Sequence, residues 1–514
     1  MSPGDPLTAS LRARRTRGAA LVGLAALAGC AVGPDFRPPA APRTQAYTAE
    51  ALPPQTAASA GPAGTAQHFN YGADIPARWW TLFHSARLDA LVEQALQANP
   101  DVGAAQAALR KAHEELLAQR GSYFPALDAT AGATREKITG AEFGQPQGGS
   151  YIYNLFNASA NVSYTLDLWG GVRRGVEAAG AQADYQNYQL QATYLTLAAN
   201  VVTTAIQEAA LRAQLEATQQ IIDADRQQLA TVQRQLALGG VSRLDLLTQQ
   251  AQLASELASS ETLKKQLQQN HDLLAVLIGN LPSDTPAEPM ALEDLTLPAE
   301  LPLSVPSQLV ARRPDVRASE SLLHEASAQI GVATANMLPQ LSITGQFGDF
   351  STEASDLLKS SSNVWSIGAS LTQPLFHGGT LLHRRRAALA AYEEAAAQYR
   401  STVLGAFRNV ADALHAVNTD AARLDQLNVA TAAAAESLDV ARARYAAGSI
   451  GPLDLLVLQR AYWQARIAQL QAQAERYADT AALFQALGGG WWSPAATAAP
   501  PQAAMQPRPD AATP

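Results

Sequence analysis

Residues 156–168 alternate without a miss. Phe156, Ala158, Ala160, Val162, Tyr164, Leu166 and Leu168 share one face, and Asn157, Ser159, Asn161, Ser163, Thr165 and Asp167 share the other. Period two predicts a strand with one apolar and one polar side. The same alternation sets Leu127, Ala129, Ala131 and Ala133 against Asp128, Thr130 and Thr134. It recurs in Leu341, Ile343 and Phe347 against Ser342, Thr344 and Gln346, and in Trp365, Ile367, Ala369 and Leu371 against Ser366, Ser370 and Thr372. These four strands form two pairs, each joined by a Gly/Ser-rich loop, near 138–150 and near 350–361.

After each pair the period changes. Leu215, Ile222, Leu229 and Leu236 recur every seven residues, as do Leu456, Trp463 and Leu470, which is a helix-packing seam. From about Val172 to Leu238 there is no proline, and glycine occurs only at Gly175 and Gly180. The same holds from about Thr380 to Ala447, apart from Gly405. Each run, as helix at 1.5 Å per residue, is on the order of 100 Å long, far more than a globular domain needs. The runs stop at Gly239-Gly240 and Gly448, the residue type that accepts a left-handed C-cap. Ser242-Arg243-Leu244-Asp245 then reads as an acidic capping box, and Pro452 suits a first helical position. Asp245 and Asp454 fall at the third position of their helices, where a carboxylate favours the helix dipole.

The plan is written twice. Pro100-Asp101-Val102 recurs as Pro314-Asp315-Val316, Phe124-Pro125-Ala126-Leu127 as Leu338-Pro339-Gln340-Leu341, Leu168-Trp169-Gly170-Gly171 as Leu375-Phe376-His377-Gly378, and Gly239 with Leu244-Asp245-Leu246-Leu247 as Gly448 with Leu453-Asp454-Leu455-Leu456. The offsets are 214, 214, 207 and 209 residues, in conserved order. A first repeat over 76–281 and a second over 307–488 flank a Pro-rich connector at 282–306. Residues 489–514, rich in Gly, Pro and Ala, read as a disordered tail.

The first residues are an address. Arg12, Arg14, Arg15 and Arg17 precede the short apolar stretch Ala19–Leu27, which ends in Leu27-Ala28-Gly29-Cys30. Residues 1–29 read as a secretory signal peptide. Cys30 is the only cysteine in the chain and sits at the cleavage point, as in bacterial lipoprotein signals, which predicts acylation there. Ala31 in the next position points to outer-membrane sorting. Residues 30–75 read as a lipidated tether, extended through its Pro/Ala/Gly/Thr-rich part.

Composition narrows the classes. The formal charge of −8 becomes −11 once the signal peptide, with its four arginines and Asp5, is removed, which argues against a nucleic-acid partner. A mean hydropathy of −0.09 excludes a polytopic α-helical membrane protein. The eight histidines form no i, i+4 pair or HExxH, and no phosphate-binding loop, nucleophile elbow or Cys/His couple occurs. The residues offer no catalytic, metal or cofactor site, and the only non-protein group implied is the covalent lipid on Cys30.

Strands of 10–13 residues with one apolar face match a tilted bilayer crossing. A barrel needs at least eight strands, because an open edge does not survive in lipid. One chain offers four, so a transmembrane barrel has to be shared between subunits. The long helices carry Gln, Arg, Glu and Asp on their outer faces and belong in water.

The chain resembles the outer-membrane efflux proteins, the TolC-like channels, in their lipoprotein (NodT-type) branch. The carriers are Cys30-Ala31-Val32-Gly33-Pro34-Asp35-Phe36, Trp79-Trp80 with Phe83, Leu88, Leu91 and Asn99-Pro100, Tyr164-Thr165-Leu166-Asp167-Leu168-Trp169-Gly170, Arg312-Arg313-Pro314-Asp315-Val316 and Gln373-Pro374-Leu375-Phe376-His377-Gly378-Gly379. The resemblance covers roughly 30–490. It implies a homotrimer with a twelve-stranded barrel in the outer membrane, a periplasmic α-helical barrel and an equatorial domain. It also implies docking to a periplasmic adaptor and an inner-membrane pump of the RND type, in a passive duct for small molecules and not an enzyme. In such channels the helical turns close the periplasmic tip. Leu453, Val457 and Arg460, at i, i+4 and i+7, match the gate face, with Val457 where relatives often carry Asp. That departure favours a hydrophobic constriction over an ionic latch. Asp245 and Asp454 are cap or tip candidates. Trp79-Trp80 read as packed, and Tyr151, Tyr153, Phe156 and Trp365 as candidates for a barrel girdle. Two other readings use the same residues: a channel for type I protein secretion, and a lipid-anchored periplasmic coiled-coil adaptor.

Overall fold

A computed structural model describes residues 31–44, 46–139, 149–284 and 289–491. Cys30, the signal peptide and residues 492–514 lie outside the described residues, as does most of the first strand-joining loop. Eight α-helices occur among the described residues: α1 (Ala86–Ala98), α2 (Pro100–Gly121), α3 (Gly171–Ala237), α4 (Arg243–Leu277), α5 (Pro306–Arg312), α6 (Pro314–Ala335), α7 (Thr380–Ala446) and α8 (Pro452–Ala486). The strands are β1 (His68–Tyr71), β2 (Ala126–Thr139), β3 (Ser150–Leu166), β4 (Glu300–Leu303), β5 (Gln340–Ser351) and β6 (Asn363–Thr372).

The repeat is visible in the lengths. α3 and α7 are each 67 residues, and α4 and α8 are each 35. The bounds of α3 and α7 lie within one residue of the proline-free runs. No described helix is long and apolar enough to cross a membrane.

The chain divides into two compact units that cut across the repeats. One contains Leu109–Gln186, Ser319–Tyr399 and the described part of Met1–Pro39. It holds an antiparallel four-stranded sheet in the order β2-β3-β5-β6. Pairing joins apolar to apolar positions, with Leu127 opposite Val162, Tyr164 opposite Ile343 and Leu341 opposite Leu371. A one-residue slip would put every side chain on the wrong face. The opposite face carries a ladder of hydroxyl and amide contacts: Thr130 to Ser159 at 3.0 Å, Asn161 to Thr130 at 3.2 Å and Thr165 to Ser342 at 3.2 Å.

The other unit contains Asn187–Ala318 with the chain segments before and after it, Ala40–Ala108 and the described part of Arg400–Pro514. Its core is aromatic and aliphatic. Trp79 and Phe83 are buried, against Phe484 and Tyr477 respectively. A short parallel pair, β1 with β4, ties residue 68 to residue 300. Composition reads residues 31–65 as an extended tether, and the structure holds much of this segment in place. Arg476 of α8, 1% exposed, donates to the carbonyl oxygens of Ala63 and Thr65, to Thr56 Oγ1 and to Gln67 Oε1. Gln67 Nε2 in turn donates to Thr480 Oγ1 at 3.1 Å and the Pro298 carbonyl at 3.0 Å. Desolvation lowers the Arg476 pKa to about 10, so the cation persists at neutral pH.

The α3 core ladder also departs from the heptad reading. The buried positions run Ala217, Thr218, Ile221, Ile222, Asp225, Gln228 and Val232, whereas Leu215, Leu229 and Leu236 are only half-buried. In α8 the heptad residues Leu456, Trp463 and Leu470 are all buried.

Candidate functional site

The two helical turns are near copies. After α3, Gly239 (φ 75°) and Gly240 donate to the carbonyls of Leu236 and Gln235, at 3.0 and 2.8 Å. After α7, Gly448 (φ 71°) and Ser449 donate to Tyr445 and Arg444, both at 2.9 Å. This double bond is the Schellman closure, which needs a residue tolerant of positive φ. α4 then opens on a reciprocal box. Asp245 N donates to Ser242 Oγ at 3.2 Å, and Asp245 Oδ2 accepts from Ser242 N at 2.8 Å and from its hydroxyl at 2.7 Å. These bonds lower the Asp245 pKa. At α8 the cap residue is Gly451, so only half the box exists: Gly451 N donates to Asp454 Oδ2 at 3.1 Å.

Leu453, Val457 and Arg460 share one exposed stripe of α8, with Leu453 53% and Val457 57% exposed. The opposite face is buried: Leu455 packs with Leu438 and Ala441 of α7, and Trp463 and Leu470 pack with Ala217 and Ile221 of α3. The stripe is therefore not needed for packing within one chain. Leu244 (72%) and Leu247 (51%) are exposed on α4 in the same way.

Behind the stripe lies a polar layer that the sequence does not announce. The Tyr445 hydroxyl donates to Gln235 Oε1 at 3.2 Å, linking α7 to α3. Asp225, 3% exposed, sits in the α3 core ladder, and Gln249 Nε2 of α4 donates to its carbonyl at 3.4 Å. Burial pushes the Asp225 carboxyl up to about 6. Gln249 opposes that shift, Glu256 adds to it, and Arg460 across on α8 opposes it. Asp225 Oδ2, Gln228 Nε2 and Gln459 Oε1 are buried without a partner among the described residues. Arg460, chosen from sequence for its stripe, is thus also coupled to a buried acid on another helix. The only available signal was an acid inside a helix-core step pattern, at Asp225 between Ile222 and Val232.

Cys30 lies outside the described residues, but the chain directly after it is held. Val32 N donates to the Trp169 carbonyl at 2.9 Å, and Asp35 pairs with the buried Arg174 at 2.6 Å. Phe36 stacks on His324 at 4.4 Å. Glu177 lies at 2.7 Å from Arg174 and 2.8 Å from His324. Desolvation would raise its pKa, but those two partners outweigh it and hold the carboxyl low.

The sheet exposes Leu127, Ile152, Phe347, Trp365, Ile367 and Leu371 at 60–76% each, far more apolar surface than a water-facing sheet leaves uncovered. Tyr151 and Trp365 are both 70% exposed. Elsewhere Arg313, Asp412 and Asp479 line a depression of about 410 Å³. Desolvation, and after it the neighbouring carboxylates Asp420 and Glu475, raise the Asp479 pKa to about 8. Among the described residues no His/Cys/Asp/Glu cluster could hold a metal.

Comparison with known proteins agrees with this architecture. The family model described as "Outer membrane efflux protein" matches residues 91–280 and 305–489. The chain is 30% identical over 417 residues to the pyoverdine export outer membrane protein OpmQ of Pseudomonas putida, covering 80% of this chain and 88% of the relative. It is 30% identical over 473 residues to the outer membrane protein OprJ of Pseudomonas aeruginosa, covering 90% and 94%. The solved outer-membrane channel OprN superposes with a TM-score of 0.79 at 28% identity, covering 90% of this chain and all of that one. Outer-membrane location, a channel role in efflux and the lack of an enzymatic activity follow from this kinship. The chain belongs to the outer membrane efflux protein family.

Proposed function

We propose that three copies of the chain close a twelve-stranded β-barrel in the outer membrane over a periplasmic α-helical barrel. The assembly is a passive duct through which small molecules leave an RND-type tripartite efflux system. The observation that carries this reading is the four-stranded sheet whose edge strands, β2 and β6, have no further strand beside them among the described residues, and whose broad apolar face is exposed. Such a sheet is stable in lipid only when neighbouring copies supply the missing pairs. Cys30 carries the lipid, a reading supported by the bonds that tie Val32 and Asp35, just after it, to the protein. The free ends of α3, α4, α7 and α8 face a periplasmic adaptor, and an inner-membrane pump supplies the energy. The name of the relative OpmQ, a pyoverdine exporter, supports a small-molecule cargo over a type I protein substrate.

At the tip, Leu453, Val457 and Arg460 of the three chains form the constriction. The exposed stripe on a helix whose other face is packed supports this role. The test is single-channel recording of the purified protein in planar bilayers. The wild type gives small, brief openings, and Leu453→Ala gives larger ones at the same ion selectivity. A channel whose conductance is unchanged by Leu453→Ala, Val457→Ala and Arg460→Gln refutes the gate. Failure of all of them to conduct refutes the duct.

A further inference from the structure

The two strand-to-helix junctions of the repeat differ in charge. The junction after β3 neutralises itself. Asp167 accepts from the backbone N–H groups of Val172 and Arg173, both at 2.9 Å, and pairs with the Arg173 guanidinium at 3.3 Å. The buried Arg174 is held by Asp35 at 2.6 Å and Glu177 at 2.7 Å. Residues 31–36 lie so close against this junction that a Cβ on Gly170 would come within 2.6 Å of Ala31 Cβ. They bring an acid, Asp35, and a ring, Phe36, which stacks on His324.

The junction after β6 lacks these anions. At the 207-residue offset Pro374 takes the place of Asp167, and Arg384 takes that of Glu177. The first turn of α7 carries no acid, and His383-Arg384-Arg385-Arg386 follow at once. Among the described residues the ion pairs of α7 are made further along, by Arg408, Arg423 and Arg442, and none is made by Arg384, Arg385 or Arg386. Arg384 and Arg386 are exposed and Arg385 is half-buried. A Cβ on Gly378, the repeat image of Gly171, would meet nothing within 4 Å. Just before the helix, Leu375 is 91% and Phe376 89% exposed. Leu375 also keeps the odd-numbered parity of Trp365, Ile367 and Leu371, the apolar positions of β6.

We propose that this second junction binds an anionic phospholipid of the periplasmic leaflet, whose headgroup does there what Asp35 does at the first junction and whose acyl chains do what Phe36 does. Arg384, Arg385 and Arg386 face the headgroup, and Leu375 and Phe376 border the chains. The proposal rests on the shared barrel proposed above, which sets the strand ends at the membrane surface.

Charge and spacing both support this occupant. Adjacent like charges repel, and an anion between them removes the repulsion. A guanidinium fork matches two phosphate oxygens, so arginine suits this ligand better than a point charge does. From Thr380 to Arg384, Arg385 and Arg386 the helix rises about 6–9 Å. The polar layer on each side of the hydrocarbon core is about 5–8 Å deep. Arginines that start from the core boundary therefore end among headgroups. A basic side chain beside an anionic lipid surface raises association on the order of fivefold, so three act together on the order of a hundredfold.

The test is native mass spectrometry of the full-length protein purified in detergent, with phosphatidylglycerol or phosphatidylethanolamine added at equal concentration. The wild type is expected to retain phosphatidylglycerol above the phosphatidylethanolamine level, by up to one molecule per chain, and to lose this excess as salt rises. The triple variant Arg384→Gln, Arg385→Gln, Arg386→Gln should bind phosphatidylglycerol more weakly, on the order of a hundredfold, at an unchanged number of copies. Arg408→Gln, at a 75% exposed arginine of the same helix, should keep the excess. Equal retention of the two lipids by the wild type overturns the proposal, as does a triple variant that retains the excess or an Arg408→Gln variant that loses it. A triple variant whose oligomer falls apart also overturns it, because a second copy then supplies the anions. Wild-type ions with the mass of one chain overturn the shared barrel itself, and the same spectra report that separately from the lipid.

Discussion

Asp225 offers the sharpest physical test of the polar layer at the tip. Its side chain is 3% exposed, and burial lifts its carboxyl from 3.8 to about 6. In the unfolded chain it titrates near the ordinary value. The folded state therefore binds the proton more tightly. Protonated Asp225 carries no penalty below about pH 4, a penalty develops between about 4 and 6, and it is complete above about 6. A shift of about two units corresponds to an upper limit of about 3 kcal/mol at neutral pH. Asp225→Asn keeps the shape and removes the ionisation. Melting of wild type and variant in detergent, followed by circular dichroism between pH 4.5 and 7.5, checks it. The variant is expected to gain on the wild type as the pH rises from 4.5 to about 6 and to keep a constant higher melting temperature above that. Arg460→Gln, which removes the cation that opposes the shift, should widen the gap between the ionised and protonated wild-type layer. Asp223→Asn, at an exposed acid two residues before Asp225 and paired with Arg226, is the control substitution. A gap between wild type and Asp225→Asn that is constant with pH, or that opens toward acid, refutes the reasoning.

The remaining predictions follow from single contacts. Gly448→Ala forces a side chain into φ 71° and should destabilise the α7–α8 turn by about 1–2 kcal/mol, seen as faster hydrogen exchange over 440–456. Arg476→Met strands the four acceptors it serves at Thr56, Ala63, Thr65 and Gln67. It should lose on the order of 3 kcal/mol and expose residues 54–68 to protease. Asp479→Asn relieves an acid whose pKa is raised by burial and by Asp420. It should raise the melting temperature at neutral pH and leave it unchanged near pH 4.

Much of the fold is legible in the sequence, because its periods are uninterrupted. Eleven of the thirteen alternating residues, 156–166, lie in β3, and 67 residues without proline leave α3 no place to break. The Gly239 and Gly448 stops are legible because a left-handed closure selects glycine. The β1–β4 pair is not, since four-residue strands carry too few positions for a period and His68 meets a partner more than 230 residues away. The packing of residues 54–68 is hidden for a similar reason: the cation that anchors it, Arg476, lies in α8, more than 400 residues further along the chain. The polar layer is hidden because glutamine at a helix position reads as surface, yet Gln214, Gln228, Gln249, Gln459 and Gln473 are buried between helices. Of the site itself, the stripe Leu453–Val457–Arg460 is readable from spacing. Its coupling to Asp225 requires knowing that α3 and α8 are neighbours.

The measurement that bears most directly on the shared-barrel duct is electron microscopy of the detergent-purified full-length protein, classified down its long axis. The account predicts a hollow three-fold particle, with a wall on the order of 100 Å long from the helices continuing into a rim about as thick as a bilayer. A solid particle, or one containing a single chain with its sheet edges uncovered, would contradict it.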